Sequence, residues 1–351
     1  MTDPIRTGVI GFGLAGRIFH TAVIDATPGL ELAAIVQRTG DEAAKAYPSA
    51  HIARSIDELL ADKTISLIVI GTPSGDHFEH AKQCLLADRN VVIDKPFTLT
   101  SAEAAELILL ARNRNLLLTA YQSRRWDGDF LTLRQVIDSG ELGRLFLFES
   151  HMDRFRPSPR LGVWRENGGP GGGILFDIGP HLIDQALTLF GAPQSILADI
   201  RTERENAKID DAFDILLRYD SLTIRLQSTL SAFTPGPRFV LQGTGGSFVK
   251  YGIDPQENQL KAGETFDTPG FGEDPESDWG ELRLVDGDSR RIITQRGDYR
   301  GLYANVRDAL LGKAELAVKP EDAWRTTRLI QFARESSAEG RRVTVDFSDQ
   351  P

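Results

Sequence analysis

Gly11-Phe12-Gly13-Leu14-Ala15-Gly16 is the feature that most restricts how this chain can fold. It follows a short apolar run, Thr7 to Gly11, and opens a helical pattern, Ala15 to Ala26. A GxGxxG at a strand-to-helix turn has a steric logic. The first glycine permits the tight turn, the second lets backbone approach a diphosphate, and the third lets helix and strand close together. The unpaired N–H groups and positive end of the helix then hold the anion. By itself the pattern also fits a glycine-rich turn that binds nothing, so its setting has to carry the reading.

That setting is a βαβ series. Glu31 to Val36, Ile65 to Gly71, Val91 to Asp94 and Leu116 to Tyr121 read as buried strands, the last as the sixth strand of this half. Between them lie helical stretches at Ser55 to Ala61, Phe78 to Ala87 and Ala102 to Asn115. Ser55 with Glu58, and Thr100 with Glu103, have capping-box spacing. After residue 121 the pattern changes. A helix (Asp129 to Ser139) is followed by strand alternation at Leu145 to Met152, and a Gly-rich turn (Gly168 to Gly173) leads into a helix at Ile178 to Phe190. Strand-like runs then succeed one another at Ser195 to Thr202, Ala212 to Tyr219, Leu222 to Leu230, Arg238 to Gly243 and Ser247 to Tyr251. Strands without crossover helices imply a mainly antiparallel sheet. Asp254 to Asp288, polar and rich in Gly, Pro and acids, reads as a surface excursion. Helices near Tyr303 to Leu311 and Glu321 to Glu335 precede a last strand, Val343 to Phe347. The expected fold is α/β: a dinucleotide-binding domain with a parallel sheet over residues 1–120, and an α+β domain with a mainly antiparallel sheet over 121–351.

Composition narrows the function. With 40 basic and 50 acidic side chains the formal charge is −10, and no Lys/Arg-rich run is present, which argues against nucleic acid or an anionic membrane as partner. No apolar stretch approaches the roughly 20 residues that span a bilayer. Met1 to Arg6 lacks a signal-peptide pattern, and the single cysteine, Cys84, precludes an internal disulfide. A cytoplasmic location is expected. His77 and His80, three residues apart, lack the carboxylate or Cys cluster that would complete a ligand set, so no metal is expected.

Three positions carry candidate chemistry. The second strand ends in Gln37-Arg38-Thr39, not in the acid that usually grips the adenosine ribose. Arg38 could pair with a 2′-phosphate and Thr39 could donate to it, which favours NADP(H), with NAD(H) still open because Asp41 and Glu42 lie nearby. Lys95, in Asp94-Lys95-Pro96, stands at the carboxyl end of a sheet strand, where open α/β sheets bind ligands. Asp177-Ile178-Gly179-Pro180-His181 opens a helix, with Asp177 placed as its cap and Pro180 in its first turn. Asp177 and His181 are i and i+4, so an imidazole and a carboxylate would share a face and could move an alcohol proton. Asp184, one turn on, is either a second orienting carboxylate or an exposed charge.

Taken together these residues resemble the glucose–fructose oxidoreductase/inositol dehydrogenase (Gfo/Idh/MocA) family. The resemblance spans essentially the whole chain and rests on the GxGxxG, Thr72-Pro73-Ser74-Gly75-Asp76-His77, Asp94-Lys95-Pro96 and Asp177 to His181. The family's Glu-Lys-Pro is Asp-Lys-Pro here. Arg124-Arg125-Trp126-Asp127, Phe148-Glu149-Ser150-His151, Asp153-Arg154-Phe155-Arg156-Pro157, Trp164-Arg165-Glu166 and Lys250 to Asp254 are similar to the family's NADP-dependent scyllo-inositol dehydrogenase branch. The chain departs from that branch at Gln122-Ser123, where the branch has His-Asn.

The resemblance implies hydride transfer between nicotinamide and a secondary alcohol or ketone of a cyclic polyol or sugar. Lys95, Asp177 and His181 would be catalytic. Gly11, Phe12, Gly13, Leu14, Ala15 and Gly16 would hold the diphosphate, with Arg38 and Thr39 at the adenosine phosphate. Thr72, Pro73, His77, Asp94, Lys95, Pro96 and Gln122 would line the cofactor cleft. Arg125 and Asp153 would meet substrate hydroxyls, Trp126 and Phe155 would wall the pocket, and Asp177 and His181 would also touch substrate. The resemblance also implies that residues 1–120 form a Rossmann domain and that the sheet of residues 121–351 is large and open, joining copies into a homodimer or homotetramer. Two other classes share the fold: a non-catalytic NAD(P) sensor, against which the intact Lys95, Asp177 and His181 argue, and an NAD-dependent glycosidase.

Overall fold

A computed structural model describes residues 3–160 and 162–351. Its first sheet holds six parallel strands, β1 (Ile5–Ile10), β2 (Leu30–Val36), β3 (His51–Ala53), β4 (Leu67–Ile70), β5 (Asn90–Ile93) and β6 (Leu118–Ala120). Their order is β3-β2-β1-β4-β5-β6. Helices cover both faces, so the central strands are apolar without alternation, and all four residues of β4 are buried. The order reverses between β1 and β4, and ligands of open α/β sheets bind in the crevice at that switch point.

The second sheet has nine strands: β7 (Leu145–His151), β8 (Ser195–Arg201), β9 (Ala212–Arg218), β10 (Thr223–Thr229), β11 (Phe239–Gly243), β12 (Gly246–Lys250), β13 (Gly280–Leu284), β14 (Ser289–Ile292) and β15 (Val343–Thr344). They run in the order β14-β13-β12-β11-β7-β10-β9-β8-β15. Neighbours are antiparallel except β7 and β10, which are parallel. Helices Gly179–Phe190 and Pro320–Glu339 pack on one face through Leu182, Ile183, Ala186, Leu329 and Ile330. Phe146 and Leu197 remain exposed on the sheet.

The expected fold class holds, and its corrections have local causes. β3, β13 and β14 give no clear strand signal: β3 has only three residues, β13 lies inside the polar stretch Asp254 to Asp288, and β14 (Ser-Arg-Arg-Ile) is itself polar. Asp254 to Asp288 is only partly a surface excursion. Asp254, Gln256, Phe266 and Phe271 are buried, and Leu260, Phe266 and Phe271 join the core under the first helix of the chain. Thr100 and Glu103 form a reciprocal capping box (Glu103 N to Thr100 Oγ1 3.2 Å, Thr100 N to Glu103 Oε2 3.0 Å). At Ser55 only half of one forms, because the Glu58 carboxylate instead accepts from Arg54 N.

Chain beyond residue 121 also returns to the nucleotide-binding unit. Val318, Ala323 and Trp324 complete its core beside Phe97 and Leu107, and Thr119 Oγ1 donates to Val318 O at 2.6 Å. Tyr299, Leu302, Tyr303 and Val306 pack on its other side. Two separately wound sheets are thereby locked to one another around the crevice.

Candidate active site

The crevice is a cleft of about 1000 Å³. Gly11 to Ala15, Arg38 and Thr39 line its nucleotide wall, Lys95, Asp177 and His181 meet at the junction, and Arg154, Arg156 and Trp164 belong to the far wall.

At the glycine turn each residue does a different thing. Gly11 has φ +100°, and a Cβ there would sit 2.9 Å from the carbonyl oxygen of Gly71. A Cβ on Gly16 would fall 2.0 Å from Gly11 O, so only glycine lets the helix approach β1 this closely. A Cβ on Gly13 would meet nothing within 4 Å. That space, facing the first turn of a helix and its free amides, is a cradle for a diphosphate, and the residues present fit a dinucleotide. Gly16 packs the turn and does not itself line the cleft.

At the tip of β2, Arg38 and Thr39 face the cleft together with Arg54. Arg54 lies in the run between β3 and the next helix, and reading the tip of β2 alone misses it. Its guanidinium donates to Gln37 O (3.0 Å) and Gly40 O (2.8 Å) and lies 3.4 Å from Asp41 Oδ1. Glu42 is hydrogen-bonded by the Gln37 side chain. Both nearby acids are thus turned to partners of their own.

Asp94-Lys95-Pro96 follows β5, and the Lys95–Pro96 peptide is cis. Asp94 Oδ1 accepts from Lys95 N at 2.8 Å, which fixes the base of the lysine. Burial alone would raise the Asp94 carboxyl, but His20, Lys95 and His77 around it bring it down to about 2. Lys95 Nζ crosses the junction to Asp177 O (2.6 Å) and Asp177 Oδ1 (2.9 Å). Burial would raise Asp177 as well, yet Lys95, Arg165 and Arg154 hold it well below the usual carboxylate range.

Asp177, expected to cap the next helix, does not. Ile174–Asp177 is a helical turn of its own, Ile178 separates it from helix Gly179–Phe190, and that helix starts without a side-chain cap. The Asp177 carboxylate serves Lys95 instead. His181 lies in the first turn of that helix, only 5% exposed, and its Nδ1 has no partner among the described residues. Burial, with Lys95 and Arg124 nearby, drives the imidazole well below its usual proton affinity, against the opposing pull of Asp177. A neutral, uncommitted imidazole beside a fixed lysine can accept a proton at neutral pH.

Several expected residues lie elsewhere. His77 is buried, with Nδ1 2.8 Å from Pro96 O and Nε2 3.0 Å from Thr72 O; it fixes the loops under the cofactor cleft without facing it. Pro96 and Gln122 are likewise buried behind the wall, and Gln122 is 3.5 Å from Pro180 O. Thr72, Pro73 and Asp94 do face the cleft. Arg125, expected to meet substrate, points the opposite way into a buried fork with Asp184 (2.6 and 2.7 Å) and donates to Ala317 O. Asp184 is therefore that arginine's counter-ion and does not orient His181. Trp126 packs into the core of the nucleotide-binding unit. Asp153 accepts from Thr229 N and Gly236 N, and Phe155 packs edge-on against Phe233, 51% exposed and outside the cleft.

The correction at Asp153 and Phe155 is one of parity. In extended chain, successive side chains point to opposite sides. Arg154 and Arg156 face the cleft, so Asp153 and Phe155 do not. Arg124, one residue before Arg125, lines the wall and is held by Asp127 (3.0 Å) and Glu257 (2.7 Å).

Comparison with known proteins agrees with this architecture. Residues 5–122 match the oxidoreductase-family NAD-binding Rossmann fold, and residues 134–345 match that family's C-terminal alpha/beta domain. The chain belongs to the Gfo/Idh/MocA oxidoreductase family, and it is an enzyme of the NAD(P)-binding oxidoreductase class. It is 42% identical over 346 residues to the oxidoreductase YdgJ of Escherichia coli (strain K12), covering 96% of this chain and 97% of that one. It is 34% identical over 347 residues to scyllo-inositol 2-dehydrogenase (NADP(+)) IolW of Bacillus subtilis (strain 168), covering 98% and 97%. Among solved structures, the oxidoreductase yvaA from Bacillus subtilis superposes with a TM-score of 0.95 at 34% identity, covering 98% of this chain and 99% of that one. An oxidoreductase from Yersinia pestis gives 0.93 at 38% identity, covering 99% and 98%.

Proposed function

We propose that the protein is an NADP(H)-dependent dehydrogenase acting on a secondary alcohol, or the matching ketone, of a cyclic polyol or sugar. The observation that carries this reading is the junction itself: Lys95, pinned at 2.6 and 2.9 Å to Asp177, beside a buried His181 whose Nδ1 has no partner among the described residues, at the edge of a dinucleotide cradle. When bound, the cofactor supplies a nicotinamide ring that exchanges hydride with the carbinol carbon. The chain supplies position and proton traffic. In oxidation, Lys95 donates to the reacting oxygen as the carbonyl forms, and neutral His181 takes the hydroxyl proton. Asp177 holds the lysine and balances the imidazolium charge.

The name of IolW supports both the polyol and the NADP in this reading. Arg38 and Arg54 facing the adenosine end, with Gln37 where an acid would grip the ribose, support NADP independently. Assembly through the second sheet fits the exposed apolar side chains Phe146 and Leu197. The single buried cysteine suits a reducing cytoplasm, and no described helix is long and apolar enough to cross a membrane.

Absorbance at 340 nm with scyllo-inositol, run once with NADP⁺ and once with NAD⁺, tests the reading. A rise with NADP⁺ is the expected result. A rise only with NAD⁺ keeps the dehydrogenase and overturns the phosphate pocket. No reduction of either nucleotide across a panel of polyols, sugars, sugar acids and sugar phosphates overturns the reading.

A further inference from the structure

The far wall of the cleft is built by chain that continues beyond β7. Pairing with the β10 side persists through Met152 N to Gln227 O (3.1 Å), Arg154 N to Thr229 O (2.9 Å) and Arg156 N to Leu230 O (2.7 Å). Ala232 N returns to Arg154 O at 3.2 Å. Backbone held in this way fixes the direction of each side chain, and it sends Arg154 and Arg156 into the cleft.

The other cations along this wall and at the junction have acids. Lys95 has Asp177, Arg124 has Asp127 and Glu257, Lys261 has Glu257, and Arg160 has Glu166. Arg165 lies 3.6 Å from Asp177 and over the Trp164 ring. Arg154 and Arg156, both half-buried, have no carboxylate within 4.0 Å among the described residues. Burial, followed by the charges of Arg154 and Arg160, lowers the proton affinity of Arg156. Two adjacent guanidinium groups left partly desolvated and unpaired are costly unless a ligand brings the missing anion. The cofactor's phosphates have places on the opposite wall, at the glycine turn and at Arg38. The charge of Arg154, in contrast, is felt by Asp177, His181 and Glu257, at the reacting end.

We infer that Arg154 and Arg156 receive an anionic group, a carboxylate or phosphate monoester, carried by the polyol whose alcohol meets Lys95 and His181. The substrate class is then a sugar acid or sugar phosphate. A planar guanidinium fork matches the oxygens of either group. The inference rests on the dehydrogenase reading above and deepens it.

The test is calorimetric titration of the NADPH-loaded protein, in which an alcohol binds without turnover. Uronates, aldonates and hexose phosphates are compared with their uncharged counterparts, for example D-glucuronate and D-glucose 6-phosphate with D-glucose. At least one acid should bind about 10- to 100-fold more tightly than its neutral partner, as a charge-assisted pair predicts. Whether that acid is a carboxylate or a phosphate identifies the source. Arg154→Gln with Arg156→Gln should remove the preference, and Arg154→Lys with Arg156→Gln should restore part of it. The wild-type comparison decides without the variants: if no acid in the panel exceeds its neutral partner, the inference is overturned. Nucleotide reduction at 340 nm on the same panel separates the two readings. Turnover of neutral sugars without any preference for acids leaves the dehydrogenase standing and removes the anion site. Tight acid binding with no reduction of either nucleotide does the reverse.

Discussion

The two walls of the cleft are built by opposite strategies. The nucleotide wall comes mainly from short consecutive runs, Gly11 to Gly16 and Gln37 to Thr39, and it works through backbone shape: a turn, an open cradle and a close helix–strand approach. The opposing wall comes from side chains gathered across the chain. Arg124, Arg154, Arg156, Trp164, His181 and Glu257 span more than a hundred residues of sequence. A wall made of backbone is written into a local motif. A wall made of side chains depends on which way each residue of an extended segment points, and a slip of one residue reverses it.

This division makes the two walls separable by mutation. The largest effect is expected at the junction. His181→Ala and Lys95→Ala should each lower turnover by about 10²- to 10⁴-fold, the usual range for losing a positioned proton-transfer group. NADPH affinity, followed by its fluorescence on titration, should stay within a few-fold in both. Equal losses of turnover and nucleotide affinity would break the division and make both residues cofactor ligands.

A smaller effect is expected at the adenosine end. Arg38→Ala should reduce the NADP⁺ over NAD⁺ preference in kcat/KM by about 10- to 100-fold, through loss of a charge-assisted contact to the 2′-phosphate. Activity with NAD⁺ should change far less. An unaltered ratio would transfer the phosphate to Arg54, which approaches the same end from the loop after β3.

The same contrast separates what is legible in the sequence from what is not. The parallel sheet is legible because strands covered on both faces are continuous apolar runs, as at Leu67 to Ile70. Lys95 and His181 are legible because each adjoins a proline that marks a strand end or helix start, and Asp177 because it lies four residues before His181. Asp153 and Phe155 mislead because an isolated Asp-Arg-Phe-Arg run carries no mark of which parity faces inward. Only pairing with Thr229 and Leu230, more than seventy residues away, decides it. Arg125 misleads for a related reason: its counter-ions, Asp184 and Asp322, are 59 and 197 positions distant. Asp254 reads as part of a surface excursion because burial of a carboxylate in a Gly- and Pro-rich stretch leaves no periodic signal.

Asp254 and Asp94 sharpen the comparison by titrating in opposite senses. Asp94, at the nucleotide wall, is held at about 2 against a usual 3.8; burial works against this, and His20, Lys95 and His77 overcome it. Its ionised form stabilises the fold, so that contribution is present above pH 3.8 and is lost as pH falls through 2. Asp254 opens the segment that brings Glu257 to the other wall. It is pushed up to about 6, first by burial and then by Asp129, although Gly128 N and Gln256 N both donate to it. Here the folded protein binds the proton more tightly than the unfolded chain does. The associated stability is present below pH 3.8 and is lost as pH rises through 6. Each effect should reach about 2–3 kcal/mol, at about 1.4 kcal/mol per pH unit between folded and unfolded values. Urea unfolding of the wild type against Asp94→Asn from pH 5 to pH 2, and against Asp254→Asn from pH 4 to pH 7, measures both. Relative to its variant, the wild type should lose stability on acidification in the first pair and on alkalinisation in the second. The same sign in both pairs would mean that Asp254, like Asp94, is governed by cations, and the contrast between the two buried carboxylates would fall.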